Sequence, residues 1–259
     1  MSDLKMKVKY SLHSYETDAA GKMSATSLFN YLQDIAGRHA ESLHFGKDDL
    51  DNEDCFWVLS RIFVEMDHMP GWGSEIVIST WPRGIEGIFA IRDFEIADSK
   101  GDLIGRASSS WLVVDKKTRR PRRPESMVGG LLENTLPASS TGRSAVKLEV
   151  PDHYDYDTPL FSVKYSDLDI NMHVNNVKYI QWALDAYPLD FRLANEIAAV
   201  EVNYLSESLP GDELCVQLCQ LDDNNYLHSL VRRIDDRELC RISVTWRKSD
   251  KHFLNNNVS

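Results

Sequence analysis

Asp169-Ile170-Asn171-Met172-His173-Val174-Asn175-Asn176-Val177-Lys178-Tyr179 sets Asp, Asn and His at alternate positions, then two more Asn, then an apolar run. Alternate residues of an extended segment point to one side, so a strand-like geometry would put Asp169, Asn171 and His173 on one wall. Beyond Asn176 the period changes, and Val177, Ile180, Trp182, Ala183 and Leu184 suit a buried helix face. Asn175 or Asn176 would cap that helix by accepting an orphan backbone N–H. A polar triple aimed at a helix N-terminus can hold a developing anion. A capped loop with surface polar residues satisfies the same spacing.

Outward from this stretch, the second half reads as a strand near 160–166, a helix from about Asn175 to Tyr187, and strands near 197–206, 213–221, 226–234 and 239–248. The first half reads as a strand over 6–13, a helix over 24–44 and strands over 55–66, 75–82, 87–97 and 104–115. Leu28, Tyr31, Leu32 and Ile35 give the first helix its apolar face; Ser24, Thr26 or Ser27 would cap it, and Gly46 would end it. Lys116 to Arg123 is a dense basic run. Residues 125–150, with Gly129-Gly130, have no clear period and read as a linker. The tail after Lys251 reads as frayed. The expected organisation is therefore an N-terminal unit over 1–124, a linker over 125–150, a C-terminal unit over 151–249 and a tail over 250–259.

The two halves repeat. Arg106-Ala107-Ser108-Ser109-Ser110-Trp111 matches Arg241-Ile242-Ser243-Val244-Thr245-Trp246 at an offset of 135, and Met69-Pro70-Gly71 matches Leu209-Pro210-Gly211 at an offset of 140. Asp18 through Asp34 lies on Asp169 through Asp185 without a gap, at an offset of 151. Three matches in the same order point to a duplicated unit. A long helix wrapped by an antiparallel sheet, made twice, is an α+β double hotdog; joining the halves edge to edge gives one continuous sheet and covers two exposed edges. Only the second copy carries the polar set. Ala20 stands where Asn171 does, Lys22 where His173 does, and Asp67 where Glu207 does. One copy would then react while the other shapes a pocket.

The chain has 259 residues, 42% hydrophobic and 27% charged, as a packed globular protein requires. A formal net charge of -11 disfavours general nucleic-acid binding. No apolar run reaches the length of a membrane span, and the start lacks a signal core or transit-peptide composition, so a cytoplasmic setting is expected. Cys55, Cys215, Cys219 and Cys240 form no CxxC pair, which argues against a zinc site and for buried free thiols. No metal or cofactor is implied.

The run from Asp167 to Trp182 resembles the signature of the acyl-acyl carrier protein thioesterases of plants and bacteria. Arg106 to Trp111, with Asp115-Lys116-Lys117-Thr118-Arg119-Arg120 after it, is similar to a second stretch of that family. The likeness covers roughly residues 8–248 and implies a double hotdog that hydrolyses the thioester between a fatty acyl chain and acyl carrier protein. It sets the family's Asp, Asn, His and Glu on Asp169, Asn171, His173 and Glu207. Plant members carry a Cys beside that Glu, where this chain has Ser208; the departure speaks against a covalent thiol mechanism, and the missing transit peptide implies a bacterial member.

On this reading Glu207 activates or positions water, with His173 and Asn171 orienting it or donating to the thioester oxygen; His173 as base with Glu207 steering it is equally open. Asp169 either fixes that geometry or stabilises a turn. Phe29, Leu32, Ile35, Trp57 and Met66 are candidates for the acyl slot. Arg119, Arg120, Arg122 and Arg123 are candidates for docking the acidic carrier protein. A homodimer is left open. The rival readings are a hotdog dehydratase acting on hydroxyacyl chains and a non-enzymatic acyl-binding protein.

Overall fold

A computed structural model describes residues 4–126, 135–136 and 139–249; Gly129-Gly130 of the expected linker and the expected tail lie outside the described residues. The first half runs β1 (Met6–Ser11), a 3-10 turn (Ser14–Glu16), α1 (Ala25–Ser42), α2 (Lys47–Asn52), β2 (Cys55–Met66), β3 (Glu75–Glu86), β4 (Phe89–Asp98), β5 (Leu103–Asp115) and β6 (Pro121–Arg122). The second runs β7 (Tyr156–Asp157), β8 (Phe161–Ser162), a 3-10 turn (Tyr165–Asp167), α3 (Asn176–Asp185), α4 (Leu189–Ala194), β9 (Asn195–Tyr204), β10 (Glu213–Gln220), β11 (Asn225–Arg232) and β12 (Arg237–Lys248).

Every strand pairing is antiparallel, and the strands form one sheet in the order β1-β3-β4-β5-β2-β9-β12-β11-β10-β7, with β6 on β5 and β8 on β10. The copies meet at β2 and β9, where Ile62 pairs with Val202. These two residues are equivalent at the offset of 140 set by the Pro-Gly turns, so the pseudo-twofold axis of the duplication passes through that pair. Pairing β2 with β9 removes the edge each copy would otherwise expose.

Helices α1 and α3 cover one face and share a core with the sheet. Leu28, Leu32 and Ile35 of α1 and Ile180 and Ala183 of α3 are almost fully buried there with Ile62, Val200 and Val202. Burying each large apolar side chain contributes about 1.5–3 kcal/mol. Strand alternation sends Glu201 and Asn203 of β9 to the opposite face. Residues 140–148 cross that face as a strap. Ser140 N–H donates to Asp93 Oδ2 at 2.9 Å, Arg143 makes a two-pronged contact with Glu201 at 2.9 and 2.7 Å, and Leu148 N–H donates to Asn203 Oδ1 at 2.8 Å. The described part of the expected linker is therefore tied down by buried polar partners and is not a flexible spacer.

Two local expectations are corrected. The strand expected near 160–166 is only Phe161–Ser162, because the Asp167 carboxylate accepts from Lys164 N–H and closes a 3-10 turn. Gly46 does not end the first helix: α1 stops at Ser42, His44 takes the left-handed conformation (φ 59), and Gly46 is the N-cap of α2.

Candidate active site

The segment 169–173 is a turn and not an extended strand, which favours the capped-loop reading of the same spacing. Asp169 N–H donates to His173 O at 2.8 Å, the Asp169 Oδ1 accepts from Asn171 N–H at 2.8 Å and His173 N–H at 3.2 Å, and Met172 has φ 63. The first copy builds the same turn. Asp18 N–H donates to Lys22 O at 2.8 Å, Asp18 Oδ1 accepts from Ala20 and Lys22 N–H groups at 2.9 and 3.1 Å, and Gly21 has φ 69. Ser24 caps α1 where Asn175 caps α3. Asp18 does this work with no Asn or His beside it, so the Asp169 carboxylate builds the turn that carries the other two.

This turn and the capped start of α3 bring Asp169, Asn171, His173, Val174 and Asn176 to one wall of a cleft of about 750 Å³. Ser206, Glu207 and Ser208, just after β9, form a second wall. His173 Nε2 lies 3.9 Å from Glu207 Oε2, both side chains being half-exposed. The same Glu207 oxygen accepts from Arg119 Nη2 at 2.9 Å. Arg119 and Lys116 come from the turn after β5; Arg119 carries a first-copy cation to the second copy's Glu207, while Lys116 pairs with Asp51 of its own copy at 2.8 Å. Tyr179 and Tyr204 line the cleft, and burial pushes both phenols up, keeping them neutral. Ser208 is fully buried: its N–H donates to the Tyr179 phenol at 3.1 Å and its hydroxyl to Asp212 Oδ2 at 3.3 Å. Its hydroxyl is thus engaged by Asp212 although the residue borders the cleft. All four cysteines are free and buried, and burial raises the thiols of Cys215, Cys219 and Cys240.

The cleft reaches into the first copy along Gly37, Ala40, Trp57 and Trp111. The same four residues border a smaller apolar slot of about 70 Å³ between α1 and β3–β5. Arg92 lines this slot; its Nη1 contacts His39 Nδ1 at 3.0 Å and Thr80 Oγ1 at 3.3 Å, and burial lowers its pKa to about 10. Of the expected slot residues only Trp57 lines the cleft or the slot. Phe29, Leu32, Ile35 and Met66 are packed into the main core instead. Leu32 and Ile35 lie on the stripe of α1 that faces the sheet centre, whereas Phe29 shares the stripe of Ala36 and Ala40 but sits about two turns nearer the N-terminus, outside the slot.

In the second copy the equivalent space is filled. The offset of 151 sets Tyr187 on Ala36 and Phe191 on Ala40, and the offset of 135 sets Trp246 on Trp111. The ring centroids of Tyr187, Phe191 and Trp246 lie 4.9–5.3 Å from one another, Tyr187 stacked on Phe191 and Trp246 edge-on to both. The counterpart of the large cleft, around Ala20 and Lys22, holds only about 30 Å³. Carrying the gapless alignment past Asp34 would have exposed this small-to-large exchange; the cleft role of Arg119, Tyr179 and Tyr204 had no comparable signal.

The family model described as the acyl-ACP thioesterase N-terminal domain matches residues 3–128, and that described as the C-terminal domain matches residues 152–248. A chloroplastic palmitoyl-acyl carrier protein thioesterase of Gossypium hirsutum is 30% identical over 260 residues, covering 92% of this chain and 62% of that protein. Oleoyl-acyl carrier protein thioesterase 1 of Arabidopsis thaliana is 28% identical, covering 95% and 76%. Among solved structures, an acyl-ACP thioesterase from Bacteroides thetaiotaomicron has a TM-score of 0.81 at 27% identity, covering 94% of this chain and 98% of that one. The 12:0-ACP thioesterase of Umbellularia californica shares the fold, with a TM-score of 0.83 at 21% identity over 96% and 99% of the two chains.

Proposed function

Since the chain belongs to the acyl-ACP thioesterase family, whose two domain models cover its two halves, we propose that it hydrolyses the thioester between a fatty acyl chain and the phosphopantetheine arm of acyl carrier protein. The observation that carries this reading is the cleft in which His173 and Glu207 face each other at 3.9 Å with Asn171 on the same wall. That gap is too long for a direct hydrogen bond and suits a water held between the two groups. Glu207 or His173 takes a proton from this water as its oxygen bonds to the thioester carbon. Asn171 and the N-terminal turn of α3 stand where the resulting oxyanion needs donors. The C–S bond then breaks, and the departing thiolate takes up a proton. Asp169 supports the reaction through the turn it holds.

In this reading residues 1–124 are the unit that shapes the acyl pocket and residues 151–249 the reacting unit, joined by 125–150 and followed by a tail over 250–259. The asymmetry between the open slot at Ala36 and Ala40 and its filled counterpart at Tyr187 and Phe191 supports placing the acyl chain in the first copy. Carrier-protein docking draws on Arg120 and Arg123, both exposed. Arg122 is only half-exposed, its Nη1 lying 3.4 Å from Glu53 O and 3.3 Å from Cys55 Sγ. No helix among the described residues is long and apolar enough to cross a membrane. Four free thiols fit a reducing compartment such as the cytoplasm. Dehydration of a hydroxyacyl chain and passive acyl binding are not favoured, because the family is one of thioesterases.

The test is thiol release from fatty acyl-ACP by the protein and by His173→Ala and Glu207→Gln, with folding followed by circular dichroism. Turnover should fall at least a hundredfold in each variant. Near-normal turnover by both folded variants would overturn the assignment.

A further inference from the structure

Arg119 is set apart from the rest of the basic run by its backbone and by what its side chain reaches. Its backbone is in the left-handed region, φ 57, a conformation that costs any residue with a β-carbon and that gathers at functional sites. The turn that imposes it is fully bonded. Asp115 Oδ1 accepts from Lys117 N–H at 3.1 Å, from Thr118 N–H at 2.8 Å and from the Thr118 hydroxyl at 3.0 Å. Arg119 N–H donates to Asp115 O at 2.9 Å, and Asp115 N–H to Arg120 O at 3.0 Å. The bonds from Thr118 hold the Asp115 carboxyl below the usual carboxylate range. From this turn the Arg119 side chain crosses from the first copy to the second, passing over the Phe56 ring at 5.2 Å to reach Glu207 Oε2 at 2.9 Å. That oxygen is the one facing His173.

A residue meant only to meet an acidic carrier protein needs an exposed cation and no such hold. We infer that Arg119 is a positioning residue for the hydrolysis: it fixes the Glu207 carboxylate opposite His173, and it is the first copy's contribution to the reacting centre. The inference rests on the thioesterase reading above. Arg119 donates to Oε2, the oxygen that faces His173, and so fixes its direction while leaving it a second lone pair for the water. The pair is 53% and 45% exposed, so it adds little to stability; its value is geometric. Its loss should therefore cost turnover and spare the fold. Arg120 and Arg123 keep the docking role, and the two kinds of cation separate by which substrate notices their removal.

The experiment compares Arg119→Asn and Arg119→Lys with the parent protein on two substrates, fatty acyl-ACP and the same acyl thioester of free pantetheine, which has neither carrier protein nor phosphate. Asn accepts positive φ readily, so Arg119→Asn keeps the turn while removing the guanidinium. Thermal melts check the fold. Arg119→Asn should lose roughly ten- to a hundredfold in kcat, by the same factor on both substrates and with KM little changed. Arg119→Lys should keep part of the activity, and added guanidinium ion should restore part of it to Arg119→Asn. A loss confined to acyl-ACP and expressed in KM would make Arg119 a docking residue and overturn the inference, as would unchanged kcat on both substrates. Failure of the parent protein to release thiol from either substrate would overturn the thioesterase reading and this inference together.

Discussion

Ala40→Phe tests where the acyl chain goes. Ala40 borders both the cleft and the small apolar slot beyond it. Its counterpart in the second copy is Phe191, whose ring meets Trp246, the equivalent of Trp111, edge to face at 5.3 Å. The fold already accommodates a ring at this position, so a phenyl group at residue 40 should lie against Trp111 and close the slot with modest cost to stability. The slot of about 70 Å³ has room for on the order of two groups the size of a water or a methylene. Each buried methylene contributes about 0.8 kcal/mol. Closing the slot should therefore cost about 1.6 kcal/mol of binding in the transition state, roughly fifteenfold in kcat/KM. Only chains long enough to enter the slot should show the loss. The assay is kcat/KM over acyl-ACP substrates of graded chain length, with a melt to show that the variant is folded. Equal loss at every length, or no loss at any, would refute the reasoning and place the chain elsewhere.

Two further outcomes concern the scaffold. Glu201→Ala removes the carboxylate that holds the strap through Arg143 and Val146. With Glu201 buried and Arg143 40% exposed, the cost should be about 3 kcal/mol, at the lower end for a broken buried pair, and Tm should fall by about 6–12 °C in calorimetry; a fall of under 2 °C would show that the strap adds little. His228 is fully buried with its Nε2 unpartnered, and burial lowers its pKa from 6.5 to about 4. Between those values the unfolded chain binds a proton that the folded one refuses, so stability should drop as pH falls through that window, by up to about 3 kcal/mol. His228→Phe, which copies Phe94 at the equivalent position opposite Ala107 and Ile242, should flatten the urea-unfolding midpoint against pH from 6.5 to 4, and an unchanged slope would rule out His228 as its source.

Much of this architecture was legible from period and repeat. The strand over 55–66 matches β2, and the gapless overlay of Asp18–Asp34 on Asp169–Asp185 holds down to individual hydrogen bonds. The gathering of Asp169, Asn171, His173 and Glu207 in one cleft followed from the motif. The shape of the 169–173 turn did not, because alternation alone does not separate a strand from a turn held by an Asp side chain; Asp18, with Gly21 three residues on, carried the missing hint. The lining of the apolar cavity was misread for a different reason. Phe29, Leu32 and Ile35 have the apolarity of a substrate lining, but a cavity is made by small residues, and Ala36, Gly37 and Ala40 are small. The strap escaped notice because its partners, Asp93, Glu201 and Asn203, are distant from it in sequence and stand on two different strands.

The ladder between β2 and β9 has a further implication. Two identical subunits meeting in this way would own two identical reaction centres, and any change in one would appear in the other. Fusion into a single polypeptide releases that constraint. On the proposed reading, one half can then vary its small helix residues to admit longer or shorter substrates while the other keeps its His and Glu untouched, so selectivity and chemistry become separately mutable within one molecule.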